Sequence, residues 1–443
     1  MTNLLSGIDY FLLLGYSIIV FYFLKRFFFR DLDPFFSKLF LIFFSLKILA
    51  ILTYTLLVVY YWQLADSVSV YSESKNLVSL INADFSNIKY LFLPVENYNA
   101  VINLDMSLKA IPGGSGIESN YFLTRACTIL YPVSFGKYLL LNFWFAVISA
   151  IGQFKLYLVL VKVYPQIKDK LSICILFIPT LLFYASPIYK ETLCFAFLCF
   201  TIVLVYNIIN DKKPLLKILL ILVYLFFIFL LKSYVFYSLL ISCGFVFLGR
   251  FLRRLFAVSI FGKILVVTFL GFIVYLISQN LDVLDSYIYS LIDISNFNQQ
   301  LYGPDGETSS FEFGEIETSF KGLLTKMPFG LYTCYFRPYL WEINKPILLL
   351  SALESFLCFG LLVFAIIKKG RNFTAVLREN RLTNIMFIFI LLLGIIIGIT
   401  TFNFGTLVRY KAPAIPFLWI FIFLLLNSTN PKGNSFKEEA LAD

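Results

Sequence analysis

One carboxylate stands where a long apolar run gives way to a polar segment. This residue is Asp66, and Tyr71 follows it five positions later. A carboxylate at the edge of a membrane can act as a general base and take a proton from the hydroxyl group of an acceptor. On a helix the two side chains would point about 140° apart, so a shared face is not guaranteed. A solvated charge or a helix cap explains Asp66 as well, and the spacing leaves both interpretations open.

A second set of residues is cationic and lies in connections on the side of the membrane that disfavours lysine and arginine. Its members are Lys190, Lys232, Arg337, Arg409 and Lys411. Arginine matches phosphate oxygens bidentately and lysine acts as a point charge, so these cations favour the phosphate or pyrophosphate of a lipid carrier as ligand. Glu191 and Glu342 are expected either to orient the cations or to pair with them. Each cation taken alone also fits a snorkelling side chain or a local ion pair.

The composition excludes several other kinds of site. The chain has no histidine, which excludes Ser-His-Asp and Cys-His catalysis and histidine-ligated metals. Its seven cysteines form no CxxC pair, which argues against a disulfide framework or a zinc site. No cofactor is therefore expected, and a divalent cation stays an open alternative. The net charge of +10 comes in short clusters between apolar runs, as membrane topology requires, so nucleic acid is not an expected partner.

The elements that would position these residues are membrane helices. Hydrophobic residues make up 60% of the chain and the mean hydropathy is +0.85, against about 45–50% apolar residues in soluble domains. Backbone groups in lipid must be satisfied within the segment, so long apolar runs predict helices. The pattern predicts an all-α polytopic membrane protein with about eleven transmembrane helices. The runs cover residues 10–24, 39–62, 138–161, 172–186, 192–208, 216–231, 234–248, 264–278, 346–367, 384–400 and 414–426.

Basic residues cluster in alternate connections, which predicts an extracytoplasmic N-terminus and a cytoplasmic C-terminus. Two long connections, 63–137 and 279–345, then fall on the extracytoplasmic side. We expect one transmembrane domain over residues 1–426 and a polar cytoplasmic tail over 427–443. The first run lacks a basic leader and a small-residue cleavage site, so it predicts a retained helix.

Three charged residues lie inside apolar runs and away from their ends: Lys47, Lys155 and Glu354. A transporter would use such groups as a proton relay, and inverted repeats or broken helices would accompany them. No clear chain of partners connects the three, so structural pairing is the expected role.

This layout resembles the GT-C class of integral-membrane glycosyltransferases, in which a large first extracytoplasmic loop bears a catalytic Asp near its start and a second large loop comes six helices later. Discounting the first helix, Asp66 with Tyr71 and the two long connections occupy these places. The stretch Arg409-Tyr410-Lys411-Ala412-Pro413 is similar to the Arg-Tyr-x-x-Pro segment before a late helix of such enzymes. The segment 178–191 also resembles a pattern of O-antigen-polymerase-like proteins. A single Asp followed by Ser67 replaces the usual acidic pair.

The resemblance implies an extracytoplasmic glycosyltransferase of surface-glycan assembly in the bacterial cytoplasmic membrane. Its partners would be a polyprenyl-(pyro)phosphate-linked donor, a glycan or glycolipid acceptor and membrane lipids. Asp66 would be the base, and the five cations with Tyr71, Glu191 and Glu342 would form the carrier-phosphate site. An O-antigen- or capsule-type repeat-unit polymerase is the nearest alternative. A transporter or flippase, and a non-enzymatic membrane subunit, are alternatives of other classes.

Overall fold

The protein is described by a computed structural model that covers most of the chain. The described residues are 4–30, 32–62, 65–104, 118–208, 214–258, 292–293, 295–297, 300, 310–311, 313–314, 316–317, 319–343 and 345–428. The predicted apolar run 264–278 and the predicted tail beyond residue 428 lie outside them.

The described residues form an all-α fold, as the apolar runs predict. The helices are α1 Gly7–Phe27, α2 Pro34–Leu57, α3 Asp66–Ala83, α4 Val95–Leu104, α5 Glu118–Leu130, α6 Tyr138–Val163, α7 Lys168–Leu176, α8 Pro179–Tyr184, α9 Lys190–Ile208, α10 Pro214–Leu231, α11 Ser233–Val258, α12 Phe320–Phe336, α13 Ile347–Lys369, α14 Phe373–Glu379, α15 Arg381–Thr400, α16 Phe404–Tyr410 and α17 Ile415–Asn427. Within the described part, extended pairing is limited to one isolated antiparallel bridge between Ser310 and Asn403.

Seven helices in the described residues are long and apolar enough to cross a membrane. They are Gly7–Phe27, Pro34–Trp62, Tyr138–Val163, Lys190–Ile208, Pro214–Leu231, Ile347–Arg378 and Arg381–Thr400. Each overlaps one of the predicted runs. The membrane-protein class is thereby supported, whereas the count of about eleven spans and the orientation of the termini stay predictions.

The predicted run 172–186 is not one continuous helix. It divides into α7 and α8 because Pro179 has no N–H to continue a helix and pushes Ile178 into extended backbone. The last predicted run belongs to α17, which is bent by 65° from the preceding short helix α16. The apolar part of α11, Ser233–Gly249, is shorter than a full span.

The chain divides into two compact units, an N-terminal unit Met1–Ser233 and a C-terminal unit Tyr234–Asp443. This division does not test the expectation of one transmembrane domain, which stays a prediction. In the N-terminal unit α6 packs against α2 and α9. A Cβ atom at Gly152 would lie 3.1 Å from the carbonyl oxygen of Ala196, so this glycine lets α6 and α9 approach closely.

The first long connection is itself folded. Helices α3, α4 and α5 and the 3₁₀ segment Phe85–Leu91 share a small core, formed by Leu77, Tyr90, Val95, Tyr98 and Tyr121. The apolar residues interleaved in this connection predict such order, since a disordered linker would lack them.

In the C-terminal unit α12 crosses α15 at two glycines. A Cβ atom at Gly398 would lie 1.8 Å from the carbonyl oxygen of Gly330, so any larger residue forces the helices apart. Described pieces of the second long connection contact the end of α15 and the link that follows it. The Phe311 N–H donates to Phe402 O in the link at 3.1 Å, and Ser295 Oγ donates to Ile399 O in the last turn of α15 at 2.8 Å.

Candidate functional site

Three of the predicted site residues meet at the start of α9. Lys232, directly after α10, donates from Nζ to Glu191 Oε1 at 2.8 Å, and the two side chains are 7% and 5% exposed. The half-buried Lys190 donates to Ser119 Oγ on α5 at 2.8 Å. Glu191 therefore pairs with a cation, and that cation is Lys232, which follows the neighbouring helix α10.

The segment between α8 and α9, residues 185–189, is buried and not helical. Side chains from neighbouring helices bond three of its backbone groups. Lys47 Nζ donates to Ala185 O at 2.6 Å, and Asn142 Oδ1 accepts from the Ile188 N–H at 2.9 Å. Thr192 Oγ1 donates to Pro187 O at 2.7 Å.

Lys47 is one part of a buried polar network that fits the structural role expected for it. Its Nζ also donates to Ser149 Oγ at 3.1 Å, and no ion pair of Lys47 occurs within the described ranges. Ammonium groups inside membranes commonly bond backbone carbonyls in this way. Lys155 lies 4.9 Å from the ring centroid of Phe28, and Glu354 is buried on α13.

Asp66 and Tyr71, the predicted base and its companion, lie on α3. Asp66 is the exposed first residue of the helix, where a carboxylate also interacts favourably with the helix dipole. Tyr71 donates to Gly136 O at 2.8 Å and packs against Tyr131 and Tyr138. Burial raises the pKa of Tyr71 to about 12, so its hydroxyl stays protonated at neutral pH.

The structure reveals two buried carboxylates that sequence reasoning did not single out. Asp9 at the start of α1 forms an ion pair with Lys137 at 3.2 Å. Glu73 on α3 is fully buried and accepts from Thr124 Oγ1 at 3.1 Å. The available signal was a carboxylate on the same helical stripe as Val70 and Leu77, at the spacing of a buried face.

Three other predicted residues, Arg337, Glu342 and Lys411, lie close together beside α13. Together with Ser355 of that helix they form what we call the Arg337 cluster. Arg337 Nε donates to Glu342 Oε1 at 2.9 Å, and Nη2 donates to the same carboxylate. The guanidinium carbon lies 4.2 Å from the Phe311 ring centroid. Among the described residues, no hydrogen-bond acceptor contacts Arg337 Nη1. The guanidinium is thus held in place with donors left for a ligand.

Lys411 braces this cluster from within. It is 1% exposed, and its Nζ donates to Arg337 O at 2.9 Å and to Ser355 Oγ at 3.0 Å. Arg409 is half-buried on α16, whose first residue, Phe404, packs near the Arg337 guanidinium at 5.9 Å. Burial and the neighbouring Tyr332 raise the pKa of Tyr339, next to the cluster, so its hydroxyl stays protonated at physiological pH.

No group of three or more Cys, Asp or Glu residues that could hold a metal ion occurs in the part of the chain that the structure describes. The expectation that no cofactor is needed stays a prediction, as does the open alternative of a divalent cation.

Comparison with known proteins returns no relative. No protein-family model matches the chain, and no curated protein or solved structure is significantly similar to it. The resemblance to GT-C glycosyltransferases therefore stays an interpretation of layout and short motifs, and function must be argued from the residues themselves.

Proposed function

We propose that this protein is a membrane-embedded glycosyltransferase of surface-glycan assembly, acting at the extracytoplasmic face of the bacterial cytoplasmic membrane. Its donor is a polyprenyl-(pyro)phosphate-linked sugar or oligosaccharide, and its acceptor is a glycan or glycolipid. Asp66, at the exposed start of α3, is the proposed base that takes the acceptor proton. No cofactor is assigned.

The Arg337 cluster is the observation that carries this proposal. An arginine held by Glu342 and stacked on Phe311 presents a fixed planar fork, which suits the paired oxygens of a phosphate. Such a group gains affinity because little side-chain entropy is lost on binding. The Nη1 donors have no acceptor among the described residues, which leaves them available to a ligand.

Burial divides the five predicted cations into two roles. Arg337 and Arg409 of the C-terminal unit are half-buried, so they can contact a ligand. The same holds separately for the half-buried Lys190 of the N-terminal unit. Lys232 and Lys411 are buried against a carboxylate and a carbonyl, so we assign them to bracing the backbone around the others. This assignment is narrower than the sequence-based hypothesis, in which all five hold the carrier phosphate.

Deletion of the gene followed by analysis of surface glycans and lipid-linked intermediates tests the proposal. The expected result is loss of a glycan and accumulation of its lipid-linked precursor. Complementation with Arg337→Lys or Arg409→Ala should reduce glycan synthesis about ten- to hundredfold, as expected for lost charge-assisted hydrogen bonds. The matched control is Lys321→Ala, which changes an exposed lysine in the first turn of α12.

The same strains separate the alternatives. Asp66→Asn should abolish synthesis if Asp66 is the base, whereas a repeat-unit polymerase that relies on arginines should tolerate this change but not Arg409→Ala. Unchanged glycans and unchanged intermediates in the deletion strain would remove the enzyme hypothesis.

A further inference from the structure

An aromatic pair with one exposed member lies beside the Arg337 cluster, in the connection between α12 and α13. The rings of Tyr339 and Trp341 are stacked with centroids 4.9 Å apart and planes at 25°. Trp341 is 79% exposed, whereas Trp419 is buried and Trp62 and Trp144 are half-buried. One face of the indole is therefore covered by Tyr339 and the other is open.

The pair is fixed to the charged residues next to it. Glu342 accepts the Tyr339 backbone N–H through Oε2 at 2.9 Å, and the same carboxylate binds Arg337. The Arg337 guanidinium also lies 5.3 Å from the Tyr339 ring centroid. The Glu342 carboxylate thus links the position of Tyr339 to that of the Arg337 guanidinium.

Two chemistries use an exposed tryptophan near a membrane. An interfacial anchor places its ring among lipid headgroups and needs no fixed orientation. A sugar subsite offers a flat ring to the apolar C–H face of a pyranose, with charged groups at the edge that bond its hydroxyls. Trp341 is stacked on Tyr339, and the backbone N–H of Tyr339 is held by Glu342, which favours the sugar subsite.

We propose that Tyr339 and Trp341 form a pyranose-binding platform for the sugar attached to the phosphate that Arg337 binds. Glu342 and Arg337 lie at its edge, where a carboxylate accepts from a sugar hydroxyl and a guanidinium donates to one. This inference rests on the proposed function, since it assigns the sugar part of the same substrate.

The test is saccharide binding by the full-length protein in lipid nanodiscs, followed by saturation-transfer NMR. The probes are a panel of methyl pyranosides comprising neutral hexoses, N-acetylhexosamines and hexuronic acids. At least one is expected to bind the wild type. Trp341→Phe should weaken this binding a few-fold, and Trp341→Ala should lower it at least tenfold. Phe92→Ala is the matched control, because Phe92 is 82% exposed and lies in the other unit; it should bind as the wild type does.

A second measurement, the quenching of tryptophan fluorescence by lipid, distinguishes an interfacial membrane anchor from a sugar subsite. The tryptophan fluorescence that is lost in Trp341→Phe belongs to Trp341, and it should be insensitive to nanodiscs made with brominated phospholipids. Quenching of that signal by the brominated lipid, or no binding of any pyranoside, overturns the platform. Loss of glycan in the deletion strain without pyranoside binding would leave the proposed function standing alone. Pyranoside binding together with unchanged glycans in the deletion strain would support the platform and contradict the proposed function.

Discussion

The buried ion pair between Lys232 and Glu191 gives the sharpest test of the division between bracing and ligand-binding cations. At 2.8 Å, two unit charges attract each other by about 6 kcal/mol at an effective dielectric constant of 20. Removing both ions from water costs several kcal/mol each, so the pair adds little net stability. Removing one partner leaves the other charge buried and uncompensated, which costs about 3–5 kcal/mol.

We therefore expect Lys232→Met and Glu191→Met each to lower the free energy of unfolding by about 3–5 kcal/mol. The double variant should be more stable than either single variant, since neither charge of the pair then remains buried without its partner. The coupling energy between the two positions should be about 3 kcal/mol. Titration with SDS in mixed micelles measures these values. Lys190→Met is the control and should change stability by less than about 1 kcal/mol, because this lysine is half-buried.

Additive losses in the double variant would refute the reasoning, because they would show that the two side chains do not interact. The same variants test the assigned role. If Lys232 only braces the backbone, the double variant should restore glycan synthesis together with stability. A stable double variant without synthesis would show that Lys232 or Glu191 contacts the substrate directly.

Three further predictions use the same unfolding measurement. Lys47→Met removes two hydrogen bonds to buried oxygens and should lower the free energy of unfolding by about 1–3 kcal/mol. Lys155→Met, at a half-exposed position, should change it by no more than about 0.5 kcal/mol. Equal losses in the two variants would contradict the structural role of Lys47. Gly398→Ala places a Cβ atom against backbone and should cost more than about 3 kcal/mol or abolish expression. Gly360→Ala, which meets nothing within 4 Å, should be neutral or stabilising, and similar behaviour of the two would disprove the close crossing. Tyr71→Phe loses one hydrogen bond and should cost about 1 kcal/mol; an unchanged stability would mean that this bond contributes nothing.

Apolar runs predicted the positions of the long helices because a segment in lipid must have its backbone hydrogen bonds satisfied, and a long unbroken apolar run achieves this as a helix. The break at residues 185–189 was not predictable in this way, since it depends on donors and acceptors far away in sequence. Lys47 is 138 positions from Ala185, and Asn142 is 46 from Ile188. The order in the first long connection was signalled only in general terms, by the apolar residues within it.

The partners of the candidate cations were predictable where the contact is local. Glu342 lies five positions after Arg337 in the same short turn, and the two form the expected pair. Glu191 follows Lys190 directly, yet neighbouring side chains on a helix point in different directions. Its partner is Lys232, 41 positions away. The two meet because α10 returns along α9, and the sequence carries no sign of that pairing.

The short helices α7 and α8 and the irregular stretch behind them constrain how the chain enters the bilayer during synthesis. A segment with bare carbonyl groups does not partition into lipid on its own. The helices that supply Lys47, Asn142 and Ser149 are synthesised before this segment leaves the ribosome. Their side chains are therefore already in place to form hydrogen bonds with its backbone when it enters the bilayer. Insertion of residues 168–189 therefore depends on earlier helices, and truncation from the N-terminus past α6 would leave this stretch outside the membrane.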